Sequence, residues 1–98
     1  MATVLVDGEN VRRSLWPNIE RAELERLSAR WAQANGHDVV VVWESQESAD
    51  DLIVREARAC NDSVWVVTSD RELRERLQGF AQRTIGGGTF ARELVAQR

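Results

Sequence analysis

The clearest indication of the fold is Thr3-Val4-Leu5-Val6-Asp7-Gly8, because this segment runs from an apolar strand directly into an acid and a glycine. The first four residues form a short, mostly β-branched run that is typical of a buried strand. The Asp7-Gly8 pair closes this strand with a turn. The rest of the chain is therefore expected to supply further strands and the helices that join them.

Short apolar runs alternate with helical periods along the whole chain. Further strands are predicted over Val39–Trp43, Val64–Val67 and Thr84–Ile85. Residues 8–18 are predicted as a loop. Helices are predicted over 20–35, from Ser48 to about Cys60, after Ser69 and after Thr89, and Ser48, Ser69 and Thr89 are the predicted caps. This β-α-β-α-β-α-β-α order predicts an α/β fold with about four mostly parallel strands and helices on both sides of the sheet. The second strand, continuously apolar, is expected to be covered on both faces.

Composition excludes several classes of function. The chain has 98 residues, enough for one domain over residues 1–98, and its 13 basic residues are all arginine. Without lysine there is no Walker A loop and no Schiff-base chemistry. The net charge of −3 means that binding to nucleic acid would have to come from a local patch.

The sequence predicts a cytoplasmic protein. No apolar run approaches the roughly 20 residues of a membrane span, and the first residues lack the basic region of a signal peptide. Cys60 is the only cysteine, so neither an internal disulfide nor a cysteine-based zinc site is expected.

Carboxylates follow three of the four predicted strands. Asp7 ends the first strand, Asp50 and Asp51 follow the second, and Asp70 follows the third. Ligand sites of parallel α/β sheets lie at the carboxyl ends of the strands, where these acids would meet. Each acid also has a structural explanation, since Asp7-Gly8 can be a turn and acids stabilise the first turn of a helix.

The convergence of these acids favours a divalent cation. Two carboxylates ~4 Å apart repel by roughly 4 kcal/mol at an effective dielectric constant of 20. Mg²⁺ or Mn²⁺ would offset this repulsion, because both ions prefer oxygen ligands and often bind phosphate groups as well. Zinc is disfavoured by the absence of a His/Cys cluster. Such a site either binds phosphate esters or cleaves them.

Four segments resemble those of a known family. They are Val4–Val11 followed by Trp16-Pro17, Ser48–Ile53, Val66–Leu73 and Gly87–Leu94. In this order they resemble the NYN domain, specifically its YacP-like branch, within the PIN-like superfamily of metal-dependent ribonucleases. The stretch between the second strand and Ser48 is shorter than is usual in that family, and Glu9 replaces an aromatic residue.

The resemblance implies a three-layer α/β/α sandwich and endonucleolytic cleavage of RNA at a Mg²⁺ or Mn²⁺ site. It implies that Asp7, Asp50 and Asp70 bind the metal, with Asp51 as an auxiliary ligand. Asn10 would position the water or the scissile phosphate. Ser69, or Thr68 beside it, would hydrogen-bond a ligand.

RNA would also need positive and aromatic groups near these acids. Arg12 and Arg13 follow the first motif, and Arg71 and Arg74 follow the third, so all four are candidates for phosphate contacts. Trp16 either stacks on an unpaired base or packs over the open end of the sheet. The Gly86–Gly88 turn either offers backbone amides to a phosphate or simply turns the chain. Trp31, Trp43 and Trp65 are expected in the core or in the packing between helices and sheet.

Three other functions stay open at this point. The same fold could be an RNA-binding module without catalysis, or a small metal-dependent phosphohydrolase that acts on nucleotides. A third alternative is a toxin-like ribonuclease that a partner protein silences, and a homodimer is also open.

Overall fold

The computed structural model describes residues 1–60 and 63–98. This part of the chain contains four strands and five helices. The strands are β1 (Thr3–Asp7), β2 (Asp38–Val42), β3 (Val64–Val67) and β4 (Arg83–Ile85). The helices are α1 (Gly8–Arg12), α2 (Arg21–Asn35), α3 (Ala49–Ala59), α4 (Arg71–Arg76) and α5 (Gly87–Val95).

The sheet has the order β2-β1-β3-β4, and every neighbouring pair is parallel. The chain moves from β1 to one side, forms β2, and then crosses to the other side to form β3. The connections that follow β1 and β3 therefore diverge, and this is the position where open α/β sheets bind ligands. Val6 pairs with Val67, so Asp7 and Thr68 come next on adjacent strands.

Helices cover both faces of the sheet. Val4 and Val6 of β1 pack with α1, α2 and α5 around the buried ring of Phe90. Leu5, between them, points to the opposite face, where α3 and α4 pack around Ile53 and Leu73. Alternate residues of one strand thus supply two separate cores. The predicted three-layer α/β/α architecture is confirmed.

The expectation that both faces of β2 are covered is wrong. This strand lies at one edge of the sheet, and its residues alternate between exposed and partly buried up to Val42. Val40 is 51% exposed. The continuous valine run was a misleading signal because it does not distinguish an edge strand from a central one.

Two helices begin elsewhere than predicted, and one helix lies in a predicted loop. The predicted loop contains α1, which starts directly after β1. Asp70, not Ser69, caps α4, and Gly86, not Thr89, precedes α5. Ser48 does cap α3, as predicted, and accepts a hydrogen bond from the Asp51 amide.

The tryptophans contribute to packing as predicted. Trp31 is buried and contacts Phe90 edge-to-face, while Trp43 and Trp65 lie partly buried against the same core. The ring of Trp43 lies so close to Gly8 that a Cβ there would be 2.5 Å away. Glycine at this position therefore allows α1 to start close to the end of β2. None of the described helices is long and apolar enough to cross a membrane.

Candidate active site

The carboxyl ends of the strands surround an acidic pocket of about 480 Å³. Its lining residues are Asp7, Glu9, Asn10, Arg13, Ser14, Glu44, Asp50 and Asp70. The three acids that the sequence analysis singled out as metal ligands therefore meet in one pocket. Each comes from a different connection: Asp7 from the end of β1, Asp50 from the first turn of α3, and Asp70 from the residue that caps α4.

The hydroxyl of Thr68 joins two of these connections. It donates a hydrogen bond to Oδ2 of Asp7 at 3.0 Å and accepts one from the Asp70 amide at 3.2 Å. Thr68 is fully buried. Its hydroxyl proton goes to Asp7, so the contact of Ser69 or Thr68 with a ligand stays a prediction. Thr68 orients the acid.

Arg74 and Asp70 fix the same connection from the other side. The Nε of Arg74 donates to the Thr68 carbonyl at 3.0 Å. Oδ1 of Asp70 accepts from the Leu73 amide at 3.2 Å, which caps α4. Asp70 thus has a structural role in its own helix as well as a place in the acidic pocket.

Burial and mutual repulsion act on the pocket carboxyls. Burial raises the pKa of Asp7, and the charges of Asp50 and Asp70 raise it further, against the hydrogen bond from Thr68. Burial and the charge of Asp70 likewise raise the pKa of Asp50, although Arg76 opposes this. Within the described residues, no arginine forms an ion pair with Asp7, Asp50 or Asp70.

Asp51 is not part of the acidic pocket. Its carboxylate is exposed and pairs with Arg76 at 2.9 Å. The hydrogen bond from Arg76 lowers the pKa of Asp51. The structure therefore does not bring the predicted auxiliary metal ligand together with the other three acids.

Asn10 ties three connections together. Its Oδ1 accepts a hydrogen bond from the Ser69 amide at 2.9 Å, and Oγ of Ser69 accepts one from the Gly87 amide at 2.7 Å. The side chains of Asn10 and Ser69 therefore link the connections that follow β1, β3 and β4. The glycine turn does not present the Gly87 amide to a ligand, because Ser69 already accepts from it.

The predicted arginines divide into two groups. Arg12 and Arg13 form ion pairs with Glu9, and so does Arg21, which the sequence analysis did not consider. These three guanidinium groups surround one carboxylate, so Glu9 lines the pocket as a neutralised acid. Arg71 and Arg74 line a separate groove together with Ser69.

Trp16 does not pack over the end of the sheet. It is 88% exposed, in the segment that follows the pocket residues Arg13 and Ser14. An indole that is almost fully exposed contributes little to folding and is available to a ligand.

The pocket fits a hard cation that keeps its water shell better than a cation that is bound directly by several protein side chains. All its candidate donors are oxygens, as Mg²⁺ and Mn²⁺ prefer. In residues 1–60 and 63–98, no group of three or more His, Cys, Asp or Glu side chains is close enough together to hold a metal ion directly. Mg²⁺ usually keeps several waters and takes only one or two carboxylates, so a pocket of this size can hold it with its water shell.

The first prediction concerns Gly87, where a side chain would disturb the link between connections. A Cβ there would collide with Oδ1 of Asn10, which already accepts a hydrogen bond from the Ser69 amide. Gly87→Ala should therefore lower the free energy of unfolding by about 1–3 kcal/mol in a denaturant titration. Gly88→Ala is the control. Its Cβ would meet the far end of the long Arg92 side chain at 3.3 Å and Ser14 at an ordinary 4.0 Å, so the gain in helix propensity should leave stability equal or higher.

The second prediction concerns the pH dependence of stability without metal. A carboxyl whose pKa is raised in the folded state costs stability as the pH rises through that pKa. With EDTA present, Asp7→Asn should therefore melt at a higher temperature than the parent at about pH 7, and the difference should shrink toward about pH 4. Asp51→Asn should not melt higher at neutral pH, because the pKa of Asp51 is lowered in the folded state. A lower melting temperature for Asp7→Asn at neutral pH would contradict the prediction.

Comparison with solved structures shows a protein of similar fold. The crystal structure of Rae1 (YacP) from Bacillus subtilis superposes on this structure with a TM-score of 0.84. The match covers 98% of this chain and 76% of the Rae1 chain. The sequence identity is 22%. No protein-family model matches the chain, and no curated protein matches it significantly. The chain therefore has a YacP-like fold, and the neighbour bears the name of the branch that the sequence motifs resemble.

Proposed function

We propose that this protein is an endoribonuclease that hydrolyses RNA phosphodiester bonds at the acidic pocket with Mg²⁺ or Mn²⁺. The observation that supports this most is that Asp7, Asp50 and Asp70 converge in one pocket although no arginine of the described chain pairs with them. A folded protein of marginal stability does not collect repelling carboxylates without a compensating function. The YacP-like fold agrees with this proposal.

The metal, when bound, would activate water and offset the charge on the attacking and leaving oxygens. Asp7, Asp50 and Asp70 would hold it. The raised pKa of Asp7 reflects burial, and a cation would favour its ionised form. Thr68 keeps the carboxylate of Asp7 in one orientation, and Asp70 is kept in place by its own helix.

Asn10 has a positioning role in this proposal. Its Oδ1 is committed to Ser69, so its amide nitrogen is the group that can donate to a phosphate oxygen or a water in the pocket. Arg13 also lines the pocket, and it shares Glu9 with two other arginines, so its guanidinium retains donors for a phosphate.

The experiment that tests this function compares two aspartates that differ in location. Asp7→Asn should reduce cleavage of a labelled single-stranded RNA by at least about 100-fold, since the metal supplies several kcal/mol of transition-state stabilisation. Asp51→Asn, the control, removes a carboxylate outside the pocket and should leave the rate within about twofold. Calorimetric titration with Mn²⁺ should show binding in the parent and in Asp51→Asn, and none in Asp50→Asn.

The competing function is an RNA-binding module without catalysis. It is favoured by the cap that Asp70 provides for α4 and by the lack of a tightly clustered metal site among the described residues. This alternative predicts no Mn²⁺ binding, no cleavage, and RNA affinity that EDTA does not change. Release of phosphate from mononucleotides without cleavage of the oligonucleotide would instead indicate a nucleotide phosphohydrolase.

Trp16 provides a separate test of contact with RNA. Stacking of an unpaired base on an indole is worth about 1–3 kcal/mol, so Trp16→Ala should weaken binding of single-stranded RNA by roughly 5- to 150-fold. The melting temperature should not change, because the side chain is 88% exposed. Trp16→Phe is the control and should retain most of the affinity. Equal affinity of the alanine variant would exclude Trp16 from the RNA site.

A further inference from the structure

The outer edge of β2 is open. Among the described residues, β2 pairs only with β1, so one side of its backbone has no neighbouring strand. The Asp38 amide donates to the carbonyl of Ala2, the residue that precedes β1. Because backbone groups alternate in direction along a strand, the N–H and C=O groups of Val39 and Val41 point to the open edge. The edge therefore offers two donors and two acceptors that no part of the described chain uses.

The sequence of β2 lacks the residues that usually keep an open edge from pairing. Proteins protect such edges with proline, with lysine or with other charged side chains along the strand. Residues 39–42 are four valines, and the chain contains no lysine. Val40, in the middle of the strand, is 51% exposed. An exposed apolar edge of this kind is typical of a strand that pairs with another chain.

An apolar groove lies along the same edge, between β2 and α3. Its volume is about 470 Å³, and it is lined by Val40 and Val42 of the strand and by Leu52 of the helix. Helix α3 packs over Leu5 of β1 in the core but leaves Val40 half exposed. The uncovered apolar surface therefore adjoins the open backbone edge.

We propose that β2 pairs with β2 of a second copy of this chain, antiparallel and about a two-fold axis at Val40. In this register Val39 of each copy lies opposite Val41 of the other, so the residues whose backbone groups point outward exchange four hydrogen bonds. The two Val40 side chains meet at the axis as a non-hydrogen-bonded pair, in which side chains approach most closely. The pairing uses the whole of Asp38–Val42 and covers the exposed valine.

The charges at the ends of β2 agree with this register. Asp38 would lie opposite Val42 of the second copy, which keeps the two Asp38 residues roughly 13 Å apart along the strand. Arg55 reaches from α3 to Glu47 in the connection that follows β2. It therefore lies near the end of the strand that Asp38 of the second copy would meet. Each acid is thus separated from its counterpart and placed toward an arginine.

The dimer should be reversible and should leave the acidic pockets open. A pair of five-residue strands offers less area than the roughly 1,200–2,000 Å² that a stable interface usually buries. The two-fold axis turns the carboxyl ends of the strands in opposite directions, so the two pockets lie at opposite ends of the joined sheet. Association is therefore independent of the proposed function.

Sedimentation equilibrium measures the association. The parent should shift from monomer toward dimer between about 5 and about 500 μM, as expected for a small interface. Val40→Lys places like charges opposite each other at the axis and should stay a monomer over this range. It should still fold, with a cooperative melting transition in a dilute sample, because Val40 is half exposed. Val40→Ile is the control and should associate like the parent.

A cysteine at the axis tests the register. In a Cys60→Ser background, Val40→Cys should form a disulfide-linked dimer on mild oxidation, because the Cα atoms of a non-hydrogen-bonded pair lie about 4.5 Å apart. Asp38→Cys, on the same strand and the same face, is the matched control. It should stay monomeric, since its counterpart is roughly 13 Å away. Cys60 is replaced because it lines the same groove as Val40.

Three results would each overturn the inference. A parent that stays monomeric at every concentration would leave the edge of β2 to a strand of another protein. Association of Val40→Lys equal to that of the parent would place the interface elsewhere, and equal cross-linking of the two cysteine variants would exclude the register. Asp7→Asn should dimerise like the parent, so loss of cleavage and loss of association are measured separately.

Discussion

The acidic pocket depends on one buried hydroxyl. Because Val6 and Val67 pair in register, Asp7 and Thr68 are the next residues on adjacent strands, and the hydroxyl of Thr68 joins Asp7 to the Asp70 amide. A neutral group thus determines the orientation of Asp7 without cancelling its charge. An arginine at this position would orient the same carboxylate but would also neutralise it, and the pocket would then lose its attraction for a cation.

The other connections are held by groups that are equally neutral. Asn10, Ser69 and the Gly87 amide form a short hydrogen-bonded series across the ends of β1, β3 and β4. The series requires glycine at position 87, since a Cβ would collide with Asn10. Neutral hydrogen bonds therefore fix the positions of the acids, but they do not reduce the repulsion between the carboxylates. Such preorganisation is what a metal site requires, because the protein rather than the ion then sets the geometry.

Sequence reasoning could predict the sheet and the convergence of the acids, because both follow from local periodicity and from the position of acids after strands. It could not predict α1, since a helix of five residues shows too little of the helical period. Sequence reasoning placed the cap of α4 at Ser69. The hydroxyl of Ser69 instead accepts a hydrogen bond from the amide of Gly87, which is distant in sequence. Arg21 was missed for a similar reason, because its ion pair with Glu9 joins residues that are 12 positions apart.

The distribution of arginine separates the three candidate metal ligands from two neighbouring acids. Glu9 is paired with three arginines and Asp51 with one, whereas the pocket acids Asp7, Asp50 and Asp70 have none within the described residues. Arg71 and Arg74 form no ion pair within the described residues, and they follow Asp70 in the chain without neutralising it. A polyanion that approaches this surface would be attracted by these arginines and repelled by the three carboxylates. Only a bound cation removes that repulsion, so the same charge pattern would make productive binding of RNA depend on the metal.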